Sequence, residues 1–136
     1  MQTWKRATEF LITRALRFGS ECAITFLTGA GAAVTQLTNR TTGVTINKYA
    51  GTITTNTASL AAEVAASFVV TNNKVAIGDM VFVAQRSGAV GVMTTIEVIA
   101  SAAGSFTIAV MNGNAAAGVA ETGAIIIEFL VIKKTS

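Results

Sequence analysis

Short runs of β-branched and aromatic residues, separated by Gly, Asn and Ser turns, dominate the chain from residue 21 onward. Such runs are typical of strands, because branched side chains pack well on a pleated surface and the punctuating residues favour turns. The pattern predicts strands at 21–28, 33–38, 43–47, 51–55, 67–71, 78–86, 92–100, 105–112 and 124–134.

Alternation along the later strands indicates which side chains face the core. Phe106, Ile108 and Val110 share one face of their strand and are predicted to point inward. The last strand is apolar on both faces, which is typical of a strand at the centre of a sandwich or at a subunit interface. We therefore take its second apolar face as a candidate oligomer interface, consisting of Ile126, Leu130 and Ile132.

Three other segments give less regular signals. Residues 43–56, GVTINKYAGTITTN, predict a hairpin or tight corner with Lys48 and Tyr49 on the turn, where they are candidate partner contacts. Residues 57–66 fit either one helical turn or the lead-in to the next strand. Residues 113–123 form a small-residue loop that we expect to be exposed or mobile. Core-facing positions around the turn are Val44, Ile46 and Ile53.

The first twenty residues are ambiguous in period. The apolar residues fit one side of a helix (Trp4, Leu11, Ala15, Phe18) or one side of a strand (Trp4, Phe10, Ile12, Leu16, Phe18). We interpret residues 1–20 as an arm that docks on this subunit or a neighbour. Its candidate partner contacts are Trp4, Lys5, Arg6, Phe10, Arg14 and Arg17.

Eight or nine short strands without βαβ alternation predict an all-β fold, an antiparallel β-sandwich or jelly roll with an N-terminal arm. The 136-residue length suits a single sandwich domain over residues 21–136. Because the chain has no Pro, protection of the sheet edges must come from bulges, charges or pairing with another subunit.

Composition adds an expectation of self-association. Charged residues make up only 12% of the chain, about half the usual share. Apolar residues make up 51%. We expect part of the apolar surface to be buried in a homo-oligomer, a dimer or trimer. The net charge of +3 is concentrated near the N-terminus, yet the body shows no interleaved basic and aromatic residues, so we expect no sequence-specific nucleic-acid partner.

Catalytic chemistry has few candidates. The chain has no His, which excludes Ser-His-Asp and Cys-His sites, and its single Cys22 is interpreted as a buried apolar side chain. Glu97 and Glu128 are the one conceivable glycosidase pair, although outward-facing or ion-paired carboxylates are the better interpretation. The glycines of 29–34 lack the third Gly of a dinucleotide fingerprint, and Asp79 is expected to cap a turn. We therefore predict no enzyme activity, no catalytic residues, no cofactor and no metal.

Membrane and export signals are also weak. The longest apolar run, 124–132, is nine residues interrupted by Glu128, which is too short for a spanning helix. Glu9 and Arg14 interrupt any apolar stretch of a secretory signal. We expect no membrane partner.

Five motifs in order carry a resemblance that covers about the last hundred residues. They are VTQLTNRTTGVTINK (34–48) with Gly51, Ile53 and Thr54, then SFVVTN (67–72), DMVFVAQ (79–85), AAGSFTIAV (102–110) and IIIEFLVIK (125–133). With these motifs the chain resembles the small β-sandwich virion proteins of tailed bacteriophages, the head decoration or cement proteins.

The resemblance implies a structural protein that sits as an oligomer on the outside of the capsid and clamps subunits of the major capsid protein. It also implies that the protein is located on the virion, and in the host cytoplasm during assembly. A second hypothesis is a glycan- or receptor-binding module of a tail fibre or other host-facing protein, for which exposed aromatic rings would be needed. A hydrolase is a distant third.

Overall fold

The computed structural model describes residues 31–91, 93–114 and 118–134, and these residues form eight strands without a helix. The predicted strand at 21–28 and the predicted arm at 1–20 lie outside the described residues. The strands are β1 (Ala33–Thr35), β2 (Val44–Thr45), β3 (Ala50–Thr54), β4 (Ala65–Thr71), β5 (Met80–Ser87), β6 (Thr94–Ala102), β7 (Ser105–Asn112) and β8 (Ile126–Ile132).

The strands build two four-stranded sheets. The first sheet has the order β1-β3-β8-β5 and the second has the order β2-β4-β7-β6. One hydrophobic core of described residues takes side chains from both sheets, among them Ile53, Ile127 and Phe129 of the first and Phe68, Phe106 and Ile108 of the second. The predicted all-β sandwich architecture is confirmed.

Each sheet is mixed rather than purely antiparallel. The pairs β1–β3 and β2–β4 are parallel, whereas β3–β8, β5–β8, β4–β7 and β6–β7 are antiparallel. The reason is the path of the first four strands, which alternate between the sheets, so that sheet neighbours are separated by a strand of the opposite sheet. The expectation of antiparallel pairing therefore holds only from β3 and β4 onward.

Residues 43–56 form the tight corner and not the hairpin. β2 lies in the second sheet and β3 in the first, so the chain crosses the sandwich between them. Val44, Ile46 and Ile53 are buried, as the alternation predicted. Asn72 holds the corner from inside, because its buried amide nitrogen donates to the Lys48 carbonyl oxygen at 2.7 Å.

Residues 57–66 are the lead-in to a strand and contain no helical turn. Leu60 makes an isolated bridge with Glu121, and β4 begins at Ala65. Glu63 occupies the left-handed region with φ of 60°, a conformation that ends any helical path there.

The β7 alternation also matches the prediction, since Phe106, Ile108 and Val110 are buried. Phe106 packs against Phe129 of the facing sheet with ring centroids 5.4 Å apart.

Because Ile108 is completely buried, Ile108→Val should lower the free energy of unfolding by about 1 kcal/mol. Urea unfolding followed by circular dichroism measures this. The same change at exposed Ile99 should alter stability by less than about 0.5 kcal/mol, and equal losses would contradict the assignment of the core.

Candidate interaction surface

The outer side of β8 carries the candidate interface residues, and the structure extends them with residues of β5. Ile126 and Leu130 are half-buried, and Ile132 is 41% exposed. Met80 lies opposite Ile132 and Phe82 lies opposite Leu130 in the β5–β8 ladder. Met80 and Phe82 are 51% and 53% exposed, so this part of the sheet presents large apolar side chains to its surroundings. We call Met80, Phe82, Leu130 and Ile132 the apolar patch.

The apolar patch continues toward β3 and borders a shallow groove. Ala50 of β3 pairs with Leu130 on the side away from Phe82, so the three residues form one row across the sheet. A groove of about 350 Å³ runs along β5 and β8 at this place. It is lined by Phe82, Val83, Ala84, Glu128, Phe129 and Leu130.

Sequence reasoning missed Met80 and Phe82. The signal was available, because residues 80–84, MVFVA, are apolar on both faces in the same way as the β8 segment. Without the strand order, nothing placed these two residues beside Leu130 and Ile132. The β5–β8 register supplies that information.

A polar row lies beside the apolar patch. The Thr52 hydroxyl donates to the Glu128 carboxylate at 3.0 Å and 3.2 Å, and Arg86 Nη1 forms a 3.0 Å ion pair with Glu128 Oε1. Both charged side chains are substantially exposed, so the pair fixes side-chain positions more than it contributes to stability. The interpretation of Glu128 as an ion-paired surface residue is confirmed.

Glu97 and Glu128 do not approach each other. Glu97 lies on β6 between Ile96 and Val98, whose side chains pack against the core, so the Glu97 carboxylate is on the outer side of the second sheet. Glu128 occupies the outer side of the first sheet. The two carboxylates therefore lack the geometry of a glycosidase pair.

Lys48 and Tyr49 lie at the corner between β2 and β3. Tyr49 is 41% exposed, and Lys74 Nζ lies 6.0 Å from the centroid of its ring, within the range of a cation–π contact. Lys48 is half-buried. The corner is tied to β8, because Val131 N donates to the Tyr49 carbonyl oxygen at 2.7 Å. The six arm residues named above, Trp4 to Arg17, lie outside the described residues.

Glu121 is the largest departure from the sequence prediction. It falls in the segment expected to be exposed, yet its side chain is completely buried, and Asn114 in the same segment is buried as well. The Glu121 carboxylate accepts backbone N–H bonds from Val90 at 3.0 Å, Gly91 at 2.8 Å and Gly123 at 2.6 Å. It also accepts the Thr94 hydroxyl at 2.8 Å. The expectation of an exposed loop was wrong at both of these residues, because buried polar contacts anchor them.

These contacts determine the charge state of Glu121. Burial alone would raise the pKa of the carboxyl, but the hydrogen bonds from Val90, Gly91, Gly123 and Thr94 outweigh burial and lower the pKa from 4.5 to about 2. The carboxylate is thus ionised at neutral pH and holds the segment after β5 against the segment before β8.

Arg40 supports the same region from the other side. Arg40 is 4% exposed, and its guanidinium donates to four acceptors: the carbonyl oxygens of Ala58, Glu121 and Gly123 and the hydroxyl of Thr55. Burial lowers the Arg40 pKa more than the negative charge of Glu121 raises it. All three guanidinium nitrogens donate to groups inside the fold, so Arg40 and Glu121 act as a structural tie.

Asp79 performs the turn capping that the sequence predicted. Its carboxylate accepts Ala76 N at 2.7 Å and Lys134 N at 3.1 Å and pairs with the Lys133 ammonium group. The hydrogen bond from Lys133 lowers the Asp79 pKa most, and the hydrogen bond from Ala76 lowers it further. This carboxylate joins the turn before β5 to the residues after β8.

The described residues offer no other obvious chemistry. Within residues 31–91, 93–114 and 118–134, no group of three or more Cys, Asp or Glu side chains is placed to hold a metal ion. The same ranges contain no helix long and apolar enough to cross a membrane.

The candidate site is therefore an exposed part of the first sheet. It consists of the apolar patch on β5 and β8 with the Arg86–Glu128 pair beside it. Comparisons of the chain with protein-family models, with curated proteins and with solved structures give no match.

Proposed function

We propose that the chain is a non-enzymatic virion structural protein, a capsid decoration protein that binds the outer surface of the major capsid shell and stabilises it. The observation that carries the proposal is the apolar patch on the first sheet. Met80 and Phe82 are more than half exposed there, and contiguous exposed apolar surface of this kind marks protein–protein contact sites. The five ordered motifs that resemble phage head decoration proteins supply the class of partner.

Three carboxylates make contacts within the chain, which suits a mechanical role. Glu121 and Asp79 are used for internal hydrogen bonds, and Glu128 is held by Thr52 and Arg86. These contacts stiffen the connections between strands. A stiff sandwich suits a clamp, because a partner-binding surface that is already ordered loses little conformational entropy on binding.

Many copies would compensate for weak individual contacts. On an icosahedral shell each decoration subunit touches neighbouring capsid subunits, and linked contacts raise the effective concentration of the next contact. A small surface such as the apolar patch together with the predicted arm can then stabilise a shell against internal pressure. Homo-oligomerisation would increase the number of linked contacts further.

Mass spectrometry of purified virions, with the copy number measured relative to the major capsid protein, tests the proposal. We expect a copy number of the same order as the capsid protein and a lower disassembly temperature for particles that lack the chain. A few copies per particle would favour the alternative, a tail-fibre or host-surface binding module. Absence from the particles would contradict both virion hypotheses.

Deletion of residues 1–20 tests the part of the proposal that assigns capsid contacts to the arm. We expect the truncated chain to lose co-sedimentation with undecorated shells while its urea unfolding midpoint stays unchanged. A matched control is the full chain with Glu97→Gln, an exposed position on β6 outside the proposed contacts, which leaves the arm intact and should bind normally. Normal binding by the truncated chain would exclude the arm as the attachment site.

A further inference from the structure

The four sheet edges of the sandwich differ in how they are protected. An edge strand presents unpaired N–H and C=O groups, and natural proteins shield such groups with short strands, charges, bulges or Pro. β1 has three residues and β2 has two, so both edges on one side of the sandwich are short. The opposite edges are long, because β5 has eight residues and β6 has nine.

β6 carries two protective devices near its middle. Glu97 is an exposed charge after only three strand residues, and the pairing register with β7 shifts between Val98 and Ala100. A charge followed by a bulge interrupts the flat run that another strand would need. The edge of β6 is therefore poorly suited to pairing.

β5 lacks these devices over its first six residues. Met80–Gln85 contains no charged residue, and the register with β8 shifts only between Gln85 and Ser87. Met80 and Phe82 project from the outer side, while Val81 and Val83 are half-buried on the inner side. Among the residues that the structure describes, no strand pairs with the second edge of β5. A long apolar edge without a charge or a register shift is suited to pairing with another strand.

We propose that β5 of a second copy of this chain occupies this edge. Antiparallel strands are related by a twofold axis perpendicular to the sheet, so one edge sequence satisfies both partners and the assembly closes as a dimer. The geometry joins two four-stranded sheets into one sheet of eight strands. This inference shares Met80 and Phe82 with the capsid proposal, but it rests on the backbone edge of β5 and needs no capsid partner.

The chemistry along β5 agrees with self-pairing. With the axis at Phe82, the two Phe82 rings become cross-strand neighbours, and Met80 lies opposite Ala84 of the second copy. Side chains on the outer side of one copy then lie beside side chains on the outer side of the other, as the alternation along a strand requires. The one charged residue of β5, Arg86, lies at the register shift beyond this run and is already paired with Glu128. The apolar patches of the two copies become continuous across the axis.

The mass of the full chain in solution tests the proposal. Sedimentation equilibrium over a dilution series should give twice 14.0 kDa at high concentration and dissociation on dilution. Phe82→Lys should weaken the dimer by about 100-fold or more, because two apolar rings leave the contact and two like charges replace them across the axis. The urea unfolding midpoint of diluted Phe82→Lys should match that of the diluted parent chain.

Ile99→Lys is the matched control. Ile99 is 53% exposed, the same as Phe82, and lies on the other long edge strand, at the bulge of β6. The substitution adds the same charge and removes a similar apolar side chain. It should leave the dimer dissociation constant unchanged. Equal weakening by both substitutions would overturn the assignment to β5.

Hydrogen exchange distinguishes edge pairing from stacking of sheet faces. Edge pairing places new hydrogen bonds on backbone amides, so exchange within 80–85 should be slow in the dimer and faster after dilution, with no such change in 94–98. A dimer without concentration-dependent protection at 80–85 would overturn edge pairing. A chain that stays monomeric at every concentration would overturn the dimer, and if 80–85 were then protected, its own residues would be covering the edge.

Discussion

Replacing Gly88 by Ala should lower the free energy of unfolding by about 4 kcal/mol. Gly88 has φ of 94°, which disfavours any side chain, and a Cβ there would lie 2.0 Å from the Ala124 carbonyl oxygen. The backbones after β5 and before β8 would have to separate. Urea unfolding followed by circular dichroism measures the loss.

Gly104→Ala is the control for the conformational part of this effect. Gly104 has φ of 79°, but a Cβ there would meet nothing within 4 Å. Its substitution should cost only about 1 kcal/mol, the penalty for a side chain in the left-handed region. Similar losses at Gly88 and Gly104 would contradict the close backbone approach at Gly88.

Replacing Glu121 by Gln should lower the free energy of unfolding at pH 7 by about 3 kcal/mol. The amide keeps the shape of the side chain but loses one acceptor oxygen, so N–H groups of Val90, Gly91 or Gly123 face an NH₂ group instead of a carboxylate. The positive charge of Arg40 also loses its nearby negative charge. Urea unfolding at pH 7 measures the effect, with Glu97→Gln on the exposed side of β6 as the control, for which we expect less than about 0.5 kcal/mol.

The pH dependence of stability provides a second test of Glu121. Its pKa is about 2 in the folded chain and 4.5 without the fold, so the carboxylate stabilises the folded state fully above pH 4.5. That contribution, about 3 kcal/mol, is lost as the pH falls from 4.5 toward 2. In Glu121→Gln this part of the acid destabilisation should disappear. An unchanged pH profile between 2 and 4.5 would contradict the low pKa.

Gly88 and Glu121 belong to one junction. Gly123, like Gly88, lies at a close backbone approach, since a Cβ on Gly123 would be 1.9 Å from the Gly88 carbonyl oxygen. The Glu121 carboxylate binds the N–H groups of the residues that follow Gly88, and Arg40 binds the carbonyl oxygens of Glu121 and Gly123. The junction therefore holds the end of β5 and the start of β8 together, next to the sheet strands that carry Phe82 and Leu130. Loss of the junction should disturb the apolar patch as well as the fold.

Local pattern was sufficient to locate most of the strands. All eight described strands fall on segments that the residue pattern predicted, with boundaries shifted by a few residues, as at β6, which begins at Thr94 rather than at residue 92. The inward positions of Phe106, Ile108 and Val110 followed from alternation alone. These features depend on neighbouring residues, whose side chains alternate between faces whatever the partner strand is. The same alternation identified Ile126, Leu130 and Ile132 as a second apolar face.

Strand partners could not be derived in this way. The sequence permitted a hairpin at 43–56, whereas the chain crosses to the other sheet there and makes β2–β4 and β1–β3 parallel. Pairing joins residues far apart in the chain, and period-two alternation is the same for every possible partner. Only the observed order β3-β8-β5 brings Phe82 beside Leu130 and creates the apolar patch.

The burial of charge was likewise decided by the tertiary structure. Arg40 and Glu121 lie in polar, glycine-rich or small-residue segments that by composition belong on the surface. They are buried because distant backbone groups converge on them: carbonyl oxygens of Ala58 and Gly123 around Arg40, and N–H groups of Val90 and Gly91 around Glu121. The sequence by itself determined the strands and their inward faces, since those depend on local alternation. The strand order, the buried Arg40–Glu121 tie and the edge of β5 that no described strand pairs with depend on contacts between remote segments, which only the folded chain brings together.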